Sequence, residues 1–217
     1  SDSHHVFAVA EAGVNHNGRD VLAHRLIEVA ADAGADAVKF QMFHTNALVV
    51  RRGPGAAPLV DYEFTHAIWA SLVEHCRDRK ILFLASVFDP GSLDEYLRFD
   101  PAAIKIGSGQ VTNARVLEAA ADVGVPLIVS PGGCSLDDVR RTVRILTKHA
   151  ASFALLQCTS IYPCPAEAMQ LQVLRAYQEF FPDTVLGLSD HYDGLAMGPL
   201  AYQLGARIFE KHFSISR

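Results

Sequence analysis

Two histidines near the end of this 217-residue chain stand where they could share a metal ion. Eight short apolar runs each end in a polar residue, and the last two end in Ser189-Asp190-His191 and Glu210-Lys211-His212. Alternate residues of a strand share a face, so Ser189 goes with His191 and Glu210 with His212, while Asp190 and Lys211 point away. If the histidine faces point inward, the imidazoles crown neighbouring strands about 4.8 Å apart, close enough to hold one divalent ion. A single inward histidine is more commonly a satisfied core residue. Two at one level set the metal reading beside that one.

Lys39, on the same face as Gln41, and Lys105 end two other runs. A buried ammonium is costly unless it meets an anion, and few carboxylates lie near these run ends. Ser86, Ser108, Ser130 and Ser189 add hydroxyls at further ends. Together they suit a ligand carrying phosphate and carboxylate. The alternative is that each lysine is paired within the fold, with Glu11, Glu210 or an outer helix. Glu11, the lone acid at the end of the first run, is open to pairing or to chemistry.

The elements that must position these groups are strands starting near Phe7, Ala37, Ile81, Ala103, Pro126, Phe153, Val185 and Arg207, with helices in most of the gaps. Residues 21–35 put Leu22, Leu26, Ile27 and Ala30 on one stripe, and Gly34 stops that helix. The strands lack a polar face and read as buried on both sides. Eight strands alternating with helices predict an α/β fold, a parallel (β/α)8 TIM barrel. An open doubly wound sheet is the alternative, but no G-x-G-x-x-G turn follows the first strand. The chain is shorter than the usual barrel of about 250 residues. Only Phe213 to Arg217 follow the eighth strand, so the eighth helix is missing and the seam needs a continuation of the chain, a second copy in a homodimer, or another partner. Residues 6–217 read as one barrel domain, with Ser1 to His5 set aside as an expression remnant. Arg51 to Pro58, after the second strand, read as a lid or a solvated loop.

Composition excludes several classes. Half the residues are hydrophobic, 20% are charged and the net charge is −5, as in a soluble globular domain with no affinity for nucleic acid. No apolar run approaches the ~20 residues of a membrane span, and no signal peptide is visible. Arg140, Arg141 and Arg144 beside Asp137 and Asp138 read as a solvated face. Cys76, Cys134, Cys158 and Cys164 form no C-x-x-C pair, which points to the cytoplasm and to inert buried thiols.

Glu11-Ala-Gly-Val-Asn-His-Asn-Gly18, Lys39-Phe-Gln41, Lys105-Ile-Gly-Ser-Gly109, Cys158-Thr-Ser-Ile-Tyr-Pro163, Ser189-Asp-His191 and Glu210-Lys-His-Phe213 resemble the sialic acid synthase family, which includes N-acetylneuraminate, legionaminic acid and pseudaminic acid synthases. The six motifs occur in the same order across essentially the whole chain. The resemblance implies an enzyme that condenses phosphoenolpyruvate with an open-chain N-acylated amino sugar, giving a 2-keto-3-deoxy sugar acid and phosphate. It implies that His191 and His212 hold a divalent ion, Mn²⁺ foremost, with Mg²⁺ or Co²⁺ as alternatives. Lys39, Ser86, Lys105, Ser108, Ser130, Ser160, Tyr162 and Ser189 would cradle phosphoenolpyruvate, and Glu11 and Gln41 would face the reacting centre and the acceptor. Glu210 falls among the substrate-binding residues, while Glu11, Lys39, Lys105 and position 110 fall among the catalytic ones.

The chain departs from the family pattern in places. Gln110 stands where relatives usually carry Glu or Asp, and an amide cannot serve as a general base. Ala85-Ser-Val-Phe88 replaces Ser-Thr-Pro-Phe, Ser130-Pro-Gly132 replaces Ser-Thr-Gly, the loop after strand two is shortened, and there is no C-terminal antifreeze-like domain. Two alternatives follow. One is an enzyme that kept the phosphoenolpyruvate cradle but changed its acceptor or reaction. The other is a non-catalytic metal- or anion-binding barrel completed by a partner, against which stands the joint retention of Lys39, Lys105, His191 and His212.

Overall fold

Aliphatic runs with no polar face form strands covered on both sides. In the computed structural model, which describes residues 5–48 and 59–215, these are β1 (Phe7–Gly13), β2 (Ala37–Met42), β3 (Leu82–Val87), β4 (Ile104–Ile106), β5 (Leu127–Val129), β6 (Phe153–Cys158), β7 (Val185–Asp190) and β8 (Ile208–His212). They pair in parallel in chain order, and β8 closes onto β1 as a barrel. The eight starts read from the sequence fall on these strands or one residue before them.

The helices are α1 (Asp20–Asp32), α2 (Thr45–Leu48), α3 (His66–Arg79), α4 (Pro90–Leu97), α5 (Ala114–Asp122), α6 (Leu136–Lys148), α7 (Val173–Phe180) and α8 (Met197–Gln203). Two of them, α2 and α3, lie between β2 and β3, and no helix follows β8 among the described residues. The candidate lid at Arg51 to Pro58 lies outside the described residues, as do Ser1 to His4 of the excluded leader. In α1 the buried residues are Ala23, Leu26, Ile27 and Ala30, with Leu22 only half-buried at the edge of the stripe. Gly34 follows at φ +76°, a left-handed turn that any side chain would strain. Asp89 caps α4 by accepting from Ser92 N at 2.9 Å, with Pro90 in the first turn. On α6, Arg140 and Arg141 pair with Asp137 and Asp138, so that cluster is a solvated face.

The apolar core has two parts. Between strands and helices, Phe40 stacks on Phe83 with centroids 5.7 Å apart, and Trp69 meets Phe40 edge-on at 6.2 Å. Inside the barrel, Val9, Ala37, Leu84, Ile128, Ala154 and Leu156 form a separate cluster. Each large apolar side chain buried this way contributes roughly 1.5–3 kcal/mol. Gly187 is required in the inner wall, because a Cβ there would lie 2.4 Å from the Ile208 carbonyl oxygen and 2.8 Å from Leu156 Cγ.

Towards the C-terminal strand ends the inward residues become polar. Glu11, Lys39, Ser86, Lys105, Ser130, Ser189 and Glu210 are all buried there, above an apolar floor. Outside the wall, Val6, Leu188, Leu195, Pro199, Tyr202 and Phe209 line an apolar groove of about 330 Å³ along β7 and β8. No helix among the described residues is long and apolar enough to cross a membrane.

Candidate active site

Strand register decides which polar side chains meet. Glu11 on β1 pairs with Lys39 on β2 and with His212 on β8. Gln41 pairs with Ser86, and Ser86 with Lys105. On the opposite wall Cys158 pairs with Ser189, and Ser189 with Glu210. These side chains converge on a cavity of about 230 Å³ at the C-terminal mouth, the face on which barrel enzymes carry their sites. Glu11, Lys39, Gln41, Ser86, Lys105, Ser108, Ser130, Ser160, Tyr162, Ser189, His191, Glu210 and His212, all nominated from sequence, line it together.

Gln110 is not among the lining residues. β4 ends at Ile106 and the chain turns through a 3₁₀ helix over Ser108–Gln110, so strand alternation no longer aims side chains inward. The Gln110 amide oxygen instead accepts from Asn113 Nδ2 at 2.9 Å, and Asn113 caps α5.

Of the two readings of the lysines, the one that pairs them within the fold with Glu11 and Glu210 holds, because the barrel's closure brings β8 against β1. Lys39 Nζ lies 2.6 Å from Glu11 Oε2 and 3.6 Å from Glu210 Oε2, and donates to Ser86 Oγ at 2.7 Å. Lys105 Nζ lies 3.3 Å from Glu210 Oε1, which also accepts from Ser189 Oγ at 2.8 Å. Burial pushes the Glu11 carboxyl up to about 7 against the pull of Lys39. Burial also opposes the charge on Glu210, but Lys105, Lys39 and the Ser189 hydroxyl outweigh it and hold that carboxyl well below its usual range. Beside them the Ser130 hydroxyl is buried with no partner among the described residues, and so is free to meet a ligand.

Gly132 fits the opposite wall because its backbone is crowded. A Cβ there would lie 2.5 Å from Ser160 Oγ and 2.6 Å from Ser108 Oγ. Its N–H donates to Ser108 Oγ at 3.0 Å, and Ser108 donates in turn to the Ser130 carbonyl at 2.9 Å.

The two histidines stand with ring centroids 5.5 Å apart. His191 Nδ1 lies 2.7 Å from the Thr159 carbonyl oxygen, an acceptor that requires the proton on Nδ1 and leaves the Nε2 lone pair free. Burial lowers the pKa of His191, and burial with the charge of Lys39 lowers that of His212 to about 4. Both rings are therefore neutral at pH 7, as metal ligands must be. No cluster of three His, Cys, Asp or Glu that could hold an ion occurs among the described residues. A site built on these imidazoles therefore supplies two protein ligands and leaves its other positions to water or substrate, which fits a catalytic ion better than a structural one. Tyr162, two-thirds exposed, stacks on His191 at 3.9 Å and meets His212 at 5.7 Å. Beyond it a second cavity, of about 450 Å³, opens between Tyr192, Asp193, Leu195 and the same two histidines. Asp190 and Lys211 point away from the barrel interior and pair with each other at 2.8 Å.

Sequence reasoning did not nominate Phe88, Gly107, Gly109 or Cys158, all of which line the cavity. Cys158 carried a usable signal, since alternation puts it on the face of Leu156, which belongs to the inner cluster.

The model of the NeuB family matches residues 26–217. The spore coat polysaccharide biosynthesis protein SpsE of Bacillus subtilis is 35% identical over 98% of this chain and 60% of its own length. Human N-acetylneuraminate-9-phosphate synthase is 32% identical over 99% of this chain and 63% of its own. The chain thus spans about three fifths of these relatives. Among solved structures, the N-acetylneuraminic acid synthetase of Leptospira borgpetersenii serovar Hardjo-bovis, in complex with citrate, superposes with a TM-score of 0.92 at 34% identity, covering 99% of this chain and 75% of that one.

Proposed function

The chain belongs to the NeuB family, and from that premise we propose that it condenses phosphoenolpyruvate with the open-chain aldehyde of an amino sugar or related aldose, giving a 2-keto-3-deoxy sugar acid and phosphate. The observation that carries this reading is the convergence of Lys39, Lys105 and five serines with a pair of neutral histidines on one cavity. Ammonium groups and hydroxyls suit the phosphate and carboxylate of phosphoenolpyruvate, while neutral imidazoles suit a divalent ion.

His191 and His212 would hold that ion, Mn²⁺ or a similar one, whose chemistry when bound is to polarise the acceptor aldehyde as a Lewis acid. The remaining work falls to the chain's own side chains. Lys39 and Lys105, already fixed by ion pairs, offset the phosphate charge without reorganising. The Ser86, Ser108, Ser130, Ser160 and Ser189 hydroxyls orient the enol ester, and Tyr162 covers the mouth beside the histidines. C3 of the enol attacks the aldehyde carbon, water adds to C2, and the tetrahedral intermediate releases phosphate by breaking its C2–O bond. Glu11 and Gln41 face this centre, with Glu11 the acid that exchanges protons there. Gln110, an amide turned towards α5, takes no part in proton transfer, so acceptor handling differs from that of relatives with an acid at this position.

Calorimetric titration with phosphoenolpyruvate tests the cradle directly. Saturable binding by the wild type that weakens by about tenfold or more in Lys105→Met is expected, since a charge-assisted hydrogen bond is worth roughly 1.5–3 kcal/mol. Equal binding by both proteins would contradict the assignment.

A further inference from the structure

We propose that Glu210 is a positioning residue, an ionised bridge that spaces Lys39 and Lys105 for an anion and does not itself touch substrate. The inference rests on the reading of the site given above and deepens it.

The two oxygens of the Glu210 carboxylate face different lysines, and only Oε1 has a hydrogen-bond partner among the described residues. Oε1 accepts from Ser189 Oγ at 2.8 Å and lies 3.3 Å from Lys105 Nζ, while Oε2 lies 3.6 Å from Lys39 Nζ. Register places the residue at the bottom of the polar layer. Glu210 pairs with Val9, a member of the apolar floor, whereas His212 pairs with Glu11 at the level of the cavity. The carboxylate therefore reaches the lysines from beneath, and its side chain is 7% exposed. Its two partners depend on it unequally. Lys39 is also held by Glu11 and Ser86, but Lys105 has no other ion pair among the described residues. Two ammonium groups sharing one buried carboxylate are fixed side by side, and without it they repel and Lys105 loses its anchor.

Affinity and turnover should then separate. Glu210→Gln adds one net positive charge to the cavity while freeing Lys105, so anions still bind but are misplaced for reaction. The test combines calorimetry of phosphoenolpyruvate and of inorganic phosphate, with chelator present, and steady-state kinetics with Mn²⁺ and N-acetylmannosamine or whichever aldose supports turnover. Expected for Glu210→Gln are phosphoenolpyruvate affinity equal to or several-fold tighter than wild type, kcat lower by about tenfold or more, and an unchanged acceptor KM. Glu210→Asp keeps the charge and should recover part of kcat. Should Glu210→Gln not fold, Glu210→Asp carries the test, since its shorter reach to the lysines should lower kcat below wild type with anion affinity kept. An acceptor KM that rises while kcat holds would make Glu210 a substrate contact and overturn the bridge. Anion affinity and thermal stability falling together in every variant would make it scaffold only. If the wild type binds neither anion, the reading of the site falls and takes the bridge with it. If the wild type binds and Glu210→Gln turns over normally, the bridge alone falls.

Discussion

Lys39 Nζ and Glu11 Oε2 stand 2.6 Å apart, joining β1 to β2 through side chains that are each 2% exposed. The contact follows from register, since Glu11 and Lys39 are direct neighbours across that strand pair. Removing one partner of a buried pair commonly costs about 3–5 kcal/mol because the other charge is stranded. Here Glu11, already pushed up to about 7 by burial, can take a proton instead. Lys39→Met is therefore expected to destabilise more at pH 8 than at pH 6, by about 1–2 kcal/mol. At pH 6 the folded carboxyl is already mostly protonated in the wild type, whereas at pH 8 the variant must protonate it against the solution pH. Urea unfolding of both proteins at the two pH values checks this, and an equal loss at both would mean that Glu11 stays charged without its partner.

The histidine pair makes a separate claim. The wild type, loaded with Mn²⁺ and passed through a desalting column, is expected to retain divalent metal, and His191→Ala and His212→Ala are each expected to lose it. Elemental analysis reads the result without reference to activity. Metal content unchanged in either variant would move the ion away from the two imidazoles.

Gln110→Glu places an acid on the turn whose Ser108 and Gly109 line the cavity, but with its own side chain directed to Asn113 at the start of α5. Phosphoenolpyruvate affinity should stay within about twofold, and the new carboxylate near the helix N-terminus should add roughly 0.3–1 kcal/mol of stability. Calorimetry and thermal melts measure both. A large change in phosphoenolpyruvate affinity would return this position to the phosphate cradle.

The inner wall tolerates no side chain at position 187. A Cβ there meets the Ile208 carbonyl at 2.4 Å, and that backbone belongs to the neighbouring barrel strand. Gly187→Ala is expected to cost about 1–3 kcal/mol, the range for overpacking a filled core. A denaturation midpoint equal to wild type would show that β7 and β8 can separate without loss.

Much of this was legible before the fold was known, for a physical reason. Strands buried on both faces are unbroken apolar runs, so their starts could be read to within a residue, and alternation then assigned the inward side of each. His191, His212, Lys39 and Lys105 were found in this way. What could not be read depended on closure and on turns. Glu210 could be named only as one possible partner of the lysines, and that it meets both follows from β8 pairing with β1 and β7 at a particular stagger, which no local pattern encodes. Gln110 was linked to the chemistry by its place beside the Lys105 motif, yet β4 stops at Ile106 and the following 3₁₀ turn carries its side chain elsewhere. Cys158 was set aside as an inert thiol because residue type was weighed above parity with Leu156.

The central claim is tested most directly by phosphate release from phosphoenolpyruvate with Mn²⁺ present, with and without N-acetylmannosamine and a panel of other aldoses, reading products by mass. The account predicts release that depends on one of the acceptors, with a product formed from that aldose and the pyruvate unit of phosphoenolpyruvate. No acceptor-dependent release from a protein that binds both metal and phosphoenolpyruvate would contradict it.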